Sequence, residues 1–387
     1  MIIQPAHRTE SVKEYYFSVK NKEIARLNAD GRSEAVINLG IGSPDGRPPQ
    51  AAIDEICSCA KQDGMHAYQP YVGIPELRRA FADWYSRWYG VTLDPGTEIQ
   101  PLTGSKEGIL IISLAFLNKG DKVLVPDPGY PTYSSAARLC EAEILPYDLV
   151  EEKGWQPDLD ALEKMDLSGV KIMWTNYPNM PTGAPADPAL YEKLVSFGRR
   201  HGILICNDNP YSFILSKEHF SILAVPGAKD CCLELNSLSK AHNMAGWRLG
   251  MVASCPEVVT EILKVKSQLD SGIFRPLQLA AVQALAQGQE WFEALNSVYE
   301  RRRIAAGRIF DLLGVRYNPA SQGLFLWGRV PEGEDPVKIS DKLLYEAGVF
   351  ITPGFIFGKN GGRYLRISLC ATVEKLGRAY DKIKSVL

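Results

Sequence analysis

Apolar positions along this chain follow two rhythms. Short continuous runs, "KVLVPDP" (122–128), "VKIMWTNYP" (170–178), "GILICND" (202–208), "CCLELNS" (231–237) and "LGMVAS" (249–254), lack the alternation of a half-exposed strand. Runs of this kind suit strands covered on both faces. Between them the spacing turns helical, most clearly over 104–118 and 188–201. The stretch 74–89 places Leu77, Phe81, Trp84 and Trp88 on one face. Strands alternating with helices predict an α/β fold with a mostly parallel sheet flanked by helices.

The rhythm changes after about residue 289. "EWFEALNSVYERRRIAAGRIFDLLG" predicts one long amphipathic helix, closed by Gly314, of the kind that joins two lobes. Beyond it, "LFLWGRV" and "RYLRISL" read as strands, with helices near 337–347 and 372–386. The expected organisation is a large domain over 44–290, with 1–43 and 291–387 forming a smaller α+β domain. In open α/β sheets, ligands bind beyond the carboxyl ends of the strands. The polar groups following the strands are Asp127 and Tyr130, Asn176 and Asn179, Asp208 and Tyr211, and Ser237, Ser239 and Lys240.

Composition narrows the partners. The 387 residues fit roughly two domains at about 150 residues each, and 45% hydrophobic with 23% charged residues is an ordinary globular balance. A formal charge of −2 without long single-sign runs argues against nucleic acid. The N-terminus has no apolar core of a signal peptide, and no run of about 18 apolar residues occurs. A cytoplasmic protein that does not span a membrane is expected. The eight cysteines show no C-x-x-C and read as buried free thiols. The five scattered histidines show no metal-ligand spacing, so no metal is expected.

Several short motifs fail on inspection. Ser237-x-x-Lys240 lacks the S-D-N and K-T-G that accompany it in penicillin-binding hydrolases. "GIGSPD" (40–45) has Asp45 where a dinucleotide fingerprint needs glycine, and "GFIFGKN" (354–360) falls short of a P-loop. What remains is a lysine, an aspartate, a tyrosine and an anion cradle. A lysine amine forms a Schiff base with an aldehyde. A carboxylate facing a pyridine nitrogen keeps that ring protonated, and pyridoxal phosphate needs both together with a phosphate site. "TGSKEGI" (103–109) runs into a helix whose free N–H groups suit a phosphate. Ser237, Ser239 and Arg248 can complete the cradle, each charge-assisted bond contributing about 1.5–3 kcal/mol.

With these residues in view, the chain resembles the class I/II aminotransferases of pyridoxal-phosphate fold type I. The resemblance is carried by "SLSK…R" (237–248), "YPNMPTG" (177–183), "NDNPY" (207–211) and "YQPYVGIPELR" (68–78), and runs from "NLGIGSPD" (38–45) to "TPGFIFG…YLRISL" (352–369). It implies an aspartate aminotransferase-like fold with a seven-stranded sheet in the large domain. It also implies a homodimer with shared sites, an amino acid and a 2-oxo acid (2-oxoglutarate as the commonest) as substrates, and ping-pong transfer.

Carried over residue by residue, the resemblance makes Lys240 the Schiff-base lysine and the base that moves the substrate Cα proton. Asp208 pairs with the ring nitrogen, Tyr211 with the ring O3′, and Tyr130 stacks on the ring. Ser105, Lys106, Ser237, Ser239 and Arg248 surround the phosphate, and Tyr68 reaches the phosphate of the neighbouring subunit. Arg366 forks onto the substrate carboxylate, as bidentate geometry requires of arginine, with Gly42 beside it.

The family usually has Asn directly before the proline of "PTG", and here that place is Met180. Asn179 is placed in the cofactor set, with Asn176 or Tyr211 alone as the alternatives. "EYYF" (14–17), "TGSK" (103–106), "VPGAKDCCLE" (225–234) and "TPGFIFG" (352–358) lean toward the LL-diaminopimelate aminotransferase branch, which puts Tyr15 and Lys106 against substrate. Ser271 stands where that branch has a substrate-binding Asn, and Arg275 is then free to face an acidic substrate side chain. A C–S β-lyase or decarboxylase on the same cofactor, or a non-catalytic cofactor sensor, is the alternative, because fold does not fix reaction.

Overall fold

The computed structural model describes residues 3–30 and 34–387. Seven strands form the main sheet: β1 (Ile99–Leu102), β2 (Lys122–Asp127), β3 (Glu143–Asp148), β4 (Val170–Thr175), β5 (Leu204–Asp208), β6 (Cys232–Ser237) and β7 (Gly250–Ala253). Their order is β1-β7-β6-β5-β4-β2-β3. The pairs from β6 to β3 are parallel, while β7 runs antiparallel to both β6 and β1. The five apolar runs of the sequence are β2, β4, β5, β6 and β7. The two strands that the pattern did not mark, β1 and β3, are the edges of the sheet, and each contains a proline (Pro101, Pro146). Proline removes a ladder donor and is tolerated at edges, where it also blurs the strand signal.

Helices cover both faces. Pro188–His201 illustrates how they are specified. The Asp187 side chain caps the start by accepting from the Ala189 N–H, and Gly202 closes the end at φ 64°. Leu190, Leu194, Val195 and Phe197 are buried from one face, each such side chain contributing about 1.5–3 kcal/mol. The long helix spans Gln289–Leu312, with Gly314 at φ 65° beyond it. A smaller antiparallel sheet follows, in the order Thr352–Pro353, Tyr364–Ser368, Phe325–Arg329, Arg316–Tyr317. Ile37–Asn38 pairs in parallel with Val349–Phe350, which sets Gly40–Gly42 beside the strand of Arg366.

The topology gathers chemistry at one edge of the main sheet. The parallel strands β4, β5 and β6 end at Thr175, Asp208 and Ser237. Because β7 is antiparallel, it starts there, with Gly250 paired to Ser237 and Arg248 just before it. Gly250 also pairs with Leu102, the end of β1, which delivers Gly104 and Ser105 to the same place. No described helix is long and apolar enough to cross a membrane. All eight cysteines are free, but only Cys59, Cys206 and Cys232 are buried, and Cys57 is exposed. The sequence reading overestimated their burial because apolar neighbours in the chain do not fix which face a residue takes.

Candidate active site

A cavity of about 490 Å³ lies at that edge. Lys240, Asp208, Tyr211, Tyr130, Ser105, Lys106, Ser237, Ser239, Arg248, Arg366, Gly42 and Tyr15 all line it, although they span most of the sequence. Five further residues placed by sequence do not. Tyr68 is 90% exposed, outside the cavity. Ser271 is exposed, and Arg275 pairs at 3.4 Å with Glu76 of its own chain, so the acid it meets is not a ligand's. Asp127, at the end of β2, also turns away, accepting from the Lys359 and Asn360 N–H groups.

Asn179 stands apart from the residues that line the cavity. It is 4% exposed and absent from the cavity wall. Its amide donates to the Asn176 carbonyl, and its oxygen accepts from the Thr182 hydroxyl at 2.7 Å. Both ends are therefore used in shaping its own loop. Asn176 is the asparagine that faces the cavity, donating to the Asp208 carbonyl at 2.6 Å.

The floor of the cavity is Asp208. Its Oδ2 accepts from the Tyr133 hydroxyl at 2.9 Å, while its buried Oδ1 has no hydrogen-bond partner. Burial pushes this carboxyl up to about 7, with the Tyr133 bond and Lys240 pulling the other way. Tyr133 is held flat against Trp174, with ring centroids 4.9 Å apart and planes 6° apart. A buried carboxylate oxygen without a donor is costly, so Asp208 is poised for a donor from a ligand. Tyr211 is buried, its hydroxyl pushed up by burial and by Asp208. Tyr130, also pushed up by burial, stands edge-on to Tyr133 at 5.6 Å.

Lys240 lies on the short helix Leu238–Ala241, capped by the Ser237 hydroxyl. Its Nζ donates to the Gly42 carbonyl at 2.6 Å. Burial lowers its pKa, which favours the neutral, nucleophilic amine. A side chain on Gly42 would place its Cβ 2.2 Å from the Phe325 ring, so only glycine brings this carbonyl so close.

The anion cradle is built around Arg248, whose backbone sits at φ 55° and ψ 61°. Left-handed backbone is strained for a non-glycine residue. Its guanidinium donates to the Ala245 carbonyl at 2.9 Å and approaches the Ser239 hydroxyl at 3.4 Å. Ser237 Oγ donates to Ser239 Oγ at 3.0 Å. Opposite lies the N-terminus of helix Ser105–Phe116, whose first N–H groups are free. Gly104, at φ 85°, is required there, because a Cβ would fall 2.3 Å from Arg248 Nη2. Lys106 does not turn into this cradle alone. Its Nζ lies 4.8 Å from the Tyr15 ring, and burial, with Arg248 nearby, lowers its pKa.

The far wall is Arg366, 4% exposed. Its Nη2 donates to the Gly40 carbonyl at 2.7 Å, its Nη1 meets the Met180 sulfur at 3.3 Å, and its Nε has no partner. Phe325, Phe357 and Phe17 surround it, with ring centroids 3.9, 4.5 and 5.3 Å away. Burial pulls the guanidinium down to about 10, so it remains a cation at neutral pH. Sequence reasoning missed Tyr133, Phe17, Phe325 and Phe357. Tyr133 carried a signal as the second tyrosine of "DPGYPTY", and Phe17 and Phe357 lie within "EYYF" and "TPGFIFG", whereas Phe325 carried none.

Residues 34–383 match the family model for class I and II aminotransferases. The chain belongs to this family. It is 38% identical over 378 residues to LL-diaminopimelate aminotransferase from Dehalococcoides mccartyi, covering 97% of each chain. It is 40% identical over 353 residues to the enzyme of the same name from Aquifex aeolicus, covering 91% of each. Among solved structures, substrate-bound BacF from Bacillus subtilis superposes with a TM-score of 0.93 at 34% identity, over 100% of this chain and 98% of that one. The fold is therefore that of the aspartate aminotransferase-like enzymes, and this aminotransferase depends on pyridoxal 5′-phosphate. No group of histidine, cysteine or acidic residues that could hold a metal occurs among the described residues.

Proposed function

We propose that the enzyme transfers an amino group from an L-amino acid to 2-oxoglutarate in two half-reactions at this one site. An amino acid leaves as its 2-oxo acid, and a second 2-oxo acid leaves as an amino acid. The observation that carries the reading is the orphaned Oδ1 of Asp208, buried and facing a cavity that also holds Lys240. That oxygen fits the N–H of a protonated pyridine, so the residues present fit the cofactor. When bound, pyridoxal phosphate supplies an aldehyde that condenses with amines and a protonated ring that draws off the electron pair left at Cα.

The chain's own residues do the rest. Lys240 would hold the cofactor covalently and, with its amine free, would take the proton from the donor's Cα. Ser105, Lys106, Ser237, Ser239 and Arg248 would hold its phosphate. Tyr211 would offer a donor to it, and Tyr130 an aromatic face. Arg366 takes the substrate α-carboxylate, with Gly42 beside it and Tyr15 and Lys106 along the donor side chain. Tyr68, exposed here, enters the site of a second copy in a homodimer. Residues 44–290 form the cofactor-carrying domain, and 1–43 with 291–387 form the second. Residues 1, 2 and 31–33 of that second unit lie outside the described residues.

The relatives named LL-diaminopimelate aminotransferase make LL-diaminopimelate the first donor to assay, alongside the common amino acids, against 2-oxoglutarate and pyruvate. The holoenzyme's visible absorbance should bleach with its donor and return with a 2-oxo acid. Lys240→Ala should lower turnover by at least about 10⁴-fold. A variant that still turned over at the parental rate would overturn the assignment of Lys240.

A further inference from the structure

On the back of the sheet, directly behind the cofactor floor, lies a carboxylate that the reaction as described does not use. Glu234 sits in β6, 0% exposed. Its Oε1 accepts from the Tyr85 hydroxyl at 2.9 Å and the Ser221 hydroxyl at 2.8 Å. Its Oε2 accepts from the Asn207 amide at 2.9 Å and the Ile222 N–H at 3.1 Å. Four donors fill the lone-pair sites of an ionised carboxylate. No cation lies within ion-pairing distance of it among the described residues. A buried charge without a partner of opposite sign is costly, so its retention calls for a reason.

The register supplies one. Asn207 of β5 is opposite Glu234, and Asp208 is opposite Leu235. Successive side chains alternate faces, so Asp208 points into the cavity while Glu234 lies behind it on the neighbouring strand. The same network reaches the ends of the site-bearing strands. Asn207 accepts from Thr175 of β4, and Asn236, two residues from Glu234, accepts from the Ser237 N–H.

We infer that Glu234 is a positioning residue for the cofactor's charge: its buried anion raises the proton affinity of the Asp208–pyridine pair and so keeps the bound ring protonated. The inference rests on the reading of Asp208 as the ring-nitrogen partner. The other titratable groups around Glu234 are Tyr85 and Tyr89 on helix Pro75–Tyr89, Tyr191 on helix Pro188–His201, and Cys232 on its own strand. All three phenols are pushed up by burial and by Glu234, and Cys232 is pushed up as well, so none competes for the charge. Toward Asp208, Glu234 acts upward, against Tyr133 and Lys240.

Glu234→Gln tests this with the network preserved. The amide oxygen can accept from Asn207 and Ile222, and the amide N–H₂ can donate to the hydroxyl oxygens of Tyr85 and Ser221. A unit charge on the order of 10 Å away, at an effective dielectric constant near 20, moves a titration by about one pH unit. The holoenzyme variant should therefore show the pH midpoint of its cofactor absorbance about one unit lower. At neutral pH, kcat should fall up to about tenfold with KM little changed. A purely structural role predicts instead weaker cofactor retention and a lower melting temperature with the midpoint in place, and that result overturns the inference. If E234Q does not take up cofactor, Tyr85→Phe combined with Ser221→Ala strips both donors from Oε1 and favours the protonated carboxyl. The same downward shift is then expected, and an unmoved midpoint is equally fatal. Asp208→Asn separates the two layers. If it too leaves the absorbance and rate unchanged, the reading of Asp208 fails. If only the Glu234 variants are silent, that reading stands without this one.

Discussion

The floor and the far wall of the cavity solve the burial of charge in opposite ways. Asp208 stands at the end of a central strand, with a tyrosine donor fixed by stacking and with strand neighbours tied by hydrogen bonds. Arg366 stands in the smaller sheet among phenylalanine rings, with one carbonyl and one thioether as its acceptors. Each is left with one buried atom unpaired, Oδ1 of Asp208 and Nε of Arg366. A cofactor that stays needs a floor of fixed polarity. A substrate that enters and leaves is better served by a cation whose surroundings offer little competition. The apolar cage keeps water and rival anions from Arg366, so a carboxylate that reaches it gains more than it would in solvent.

Between floor and wall, the largest effect is expected where that cage is kept and the fork removed. Arg366→Lys retains a cation but loses the planar pair of donors. The value of kcat/KM should fall by about 100- to 1,000-fold, with most of the loss in KM for both amino and oxo acid. Cofactor absorbance and its pH midpoint should be unchanged, because the floor is untouched. Equal loss with and without an α-carboxylate on the substrate would remove Arg366 from the carboxylate site.

The floor answers to pH instead. In the cofactor-free protein, Asp208 is pushed up to about 7 from an ordinary value of 3.8. Between these limits the folded chain binds a proton that the unfolded chain has lost. The stability tied to that proton is complete below about pH 4 and is lost as pH rises through about 7, on the order of 4 kcal/mol in all. Glu234, also pushed up by burial, adds a slope of the same sign. Urea unfolding of the cofactor-free protein at pH 5 and pH 8 should therefore show it weaker at pH 8. Asp208→Asn should remove most of the difference. The same slope in both proteins would mean that Asp208 is not the titrating floor.

The floor was legible in the sequence, whereas of the far wall only Arg366 itself was, for a physical reason. Asp208, Ser237 and Lys240 follow apolar runs, and a buried parallel strand announces its carboxyl end. The cage of Arg366 is assembled from Phe17, Phe325 and Phe357, drawn together from three separate elements, and although "EYYF" and "TPGFIFG" hold two of them, neither stretch shows that its phenylalanine meets Arg366. The place of Asn179 was hidden for a related reason. A motif fixes which residues are near the site, whereas the loop's own hydrogen bonds decide which of two asparagines turns inward. Edge strand β1 was hidden because it is only four residues long with Gln100 and Pro101 inside it, and β3 because it is half exposed and mixes polar residues into its apolar run.

The smallest effect tests whether Met180 belongs to the wall's chemistry or only to its shape. Its sulfur, a weak acceptor, meets Arg366 Nη1 at 3.3 Å in a position 5% exposed. Met180→Leu nearly conserves volume and removes the acceptor, so kcat/KM should change by less than about tenfold. Met180→Asn places an amide oxygen against the same guanidinium, where it competes with the substrate carboxylate. A several-fold rise in KM with kcat nearly unchanged is expected, read from initial rates over a donor concentration series. If the asparagine variant instead lowered KM, its amide would be donating to the carboxylate rather than occupying the arginine. The wall would then be limited by too few donors, and the contrast with the floor would lie in the number of hydrogen bonds and not in their exclusion.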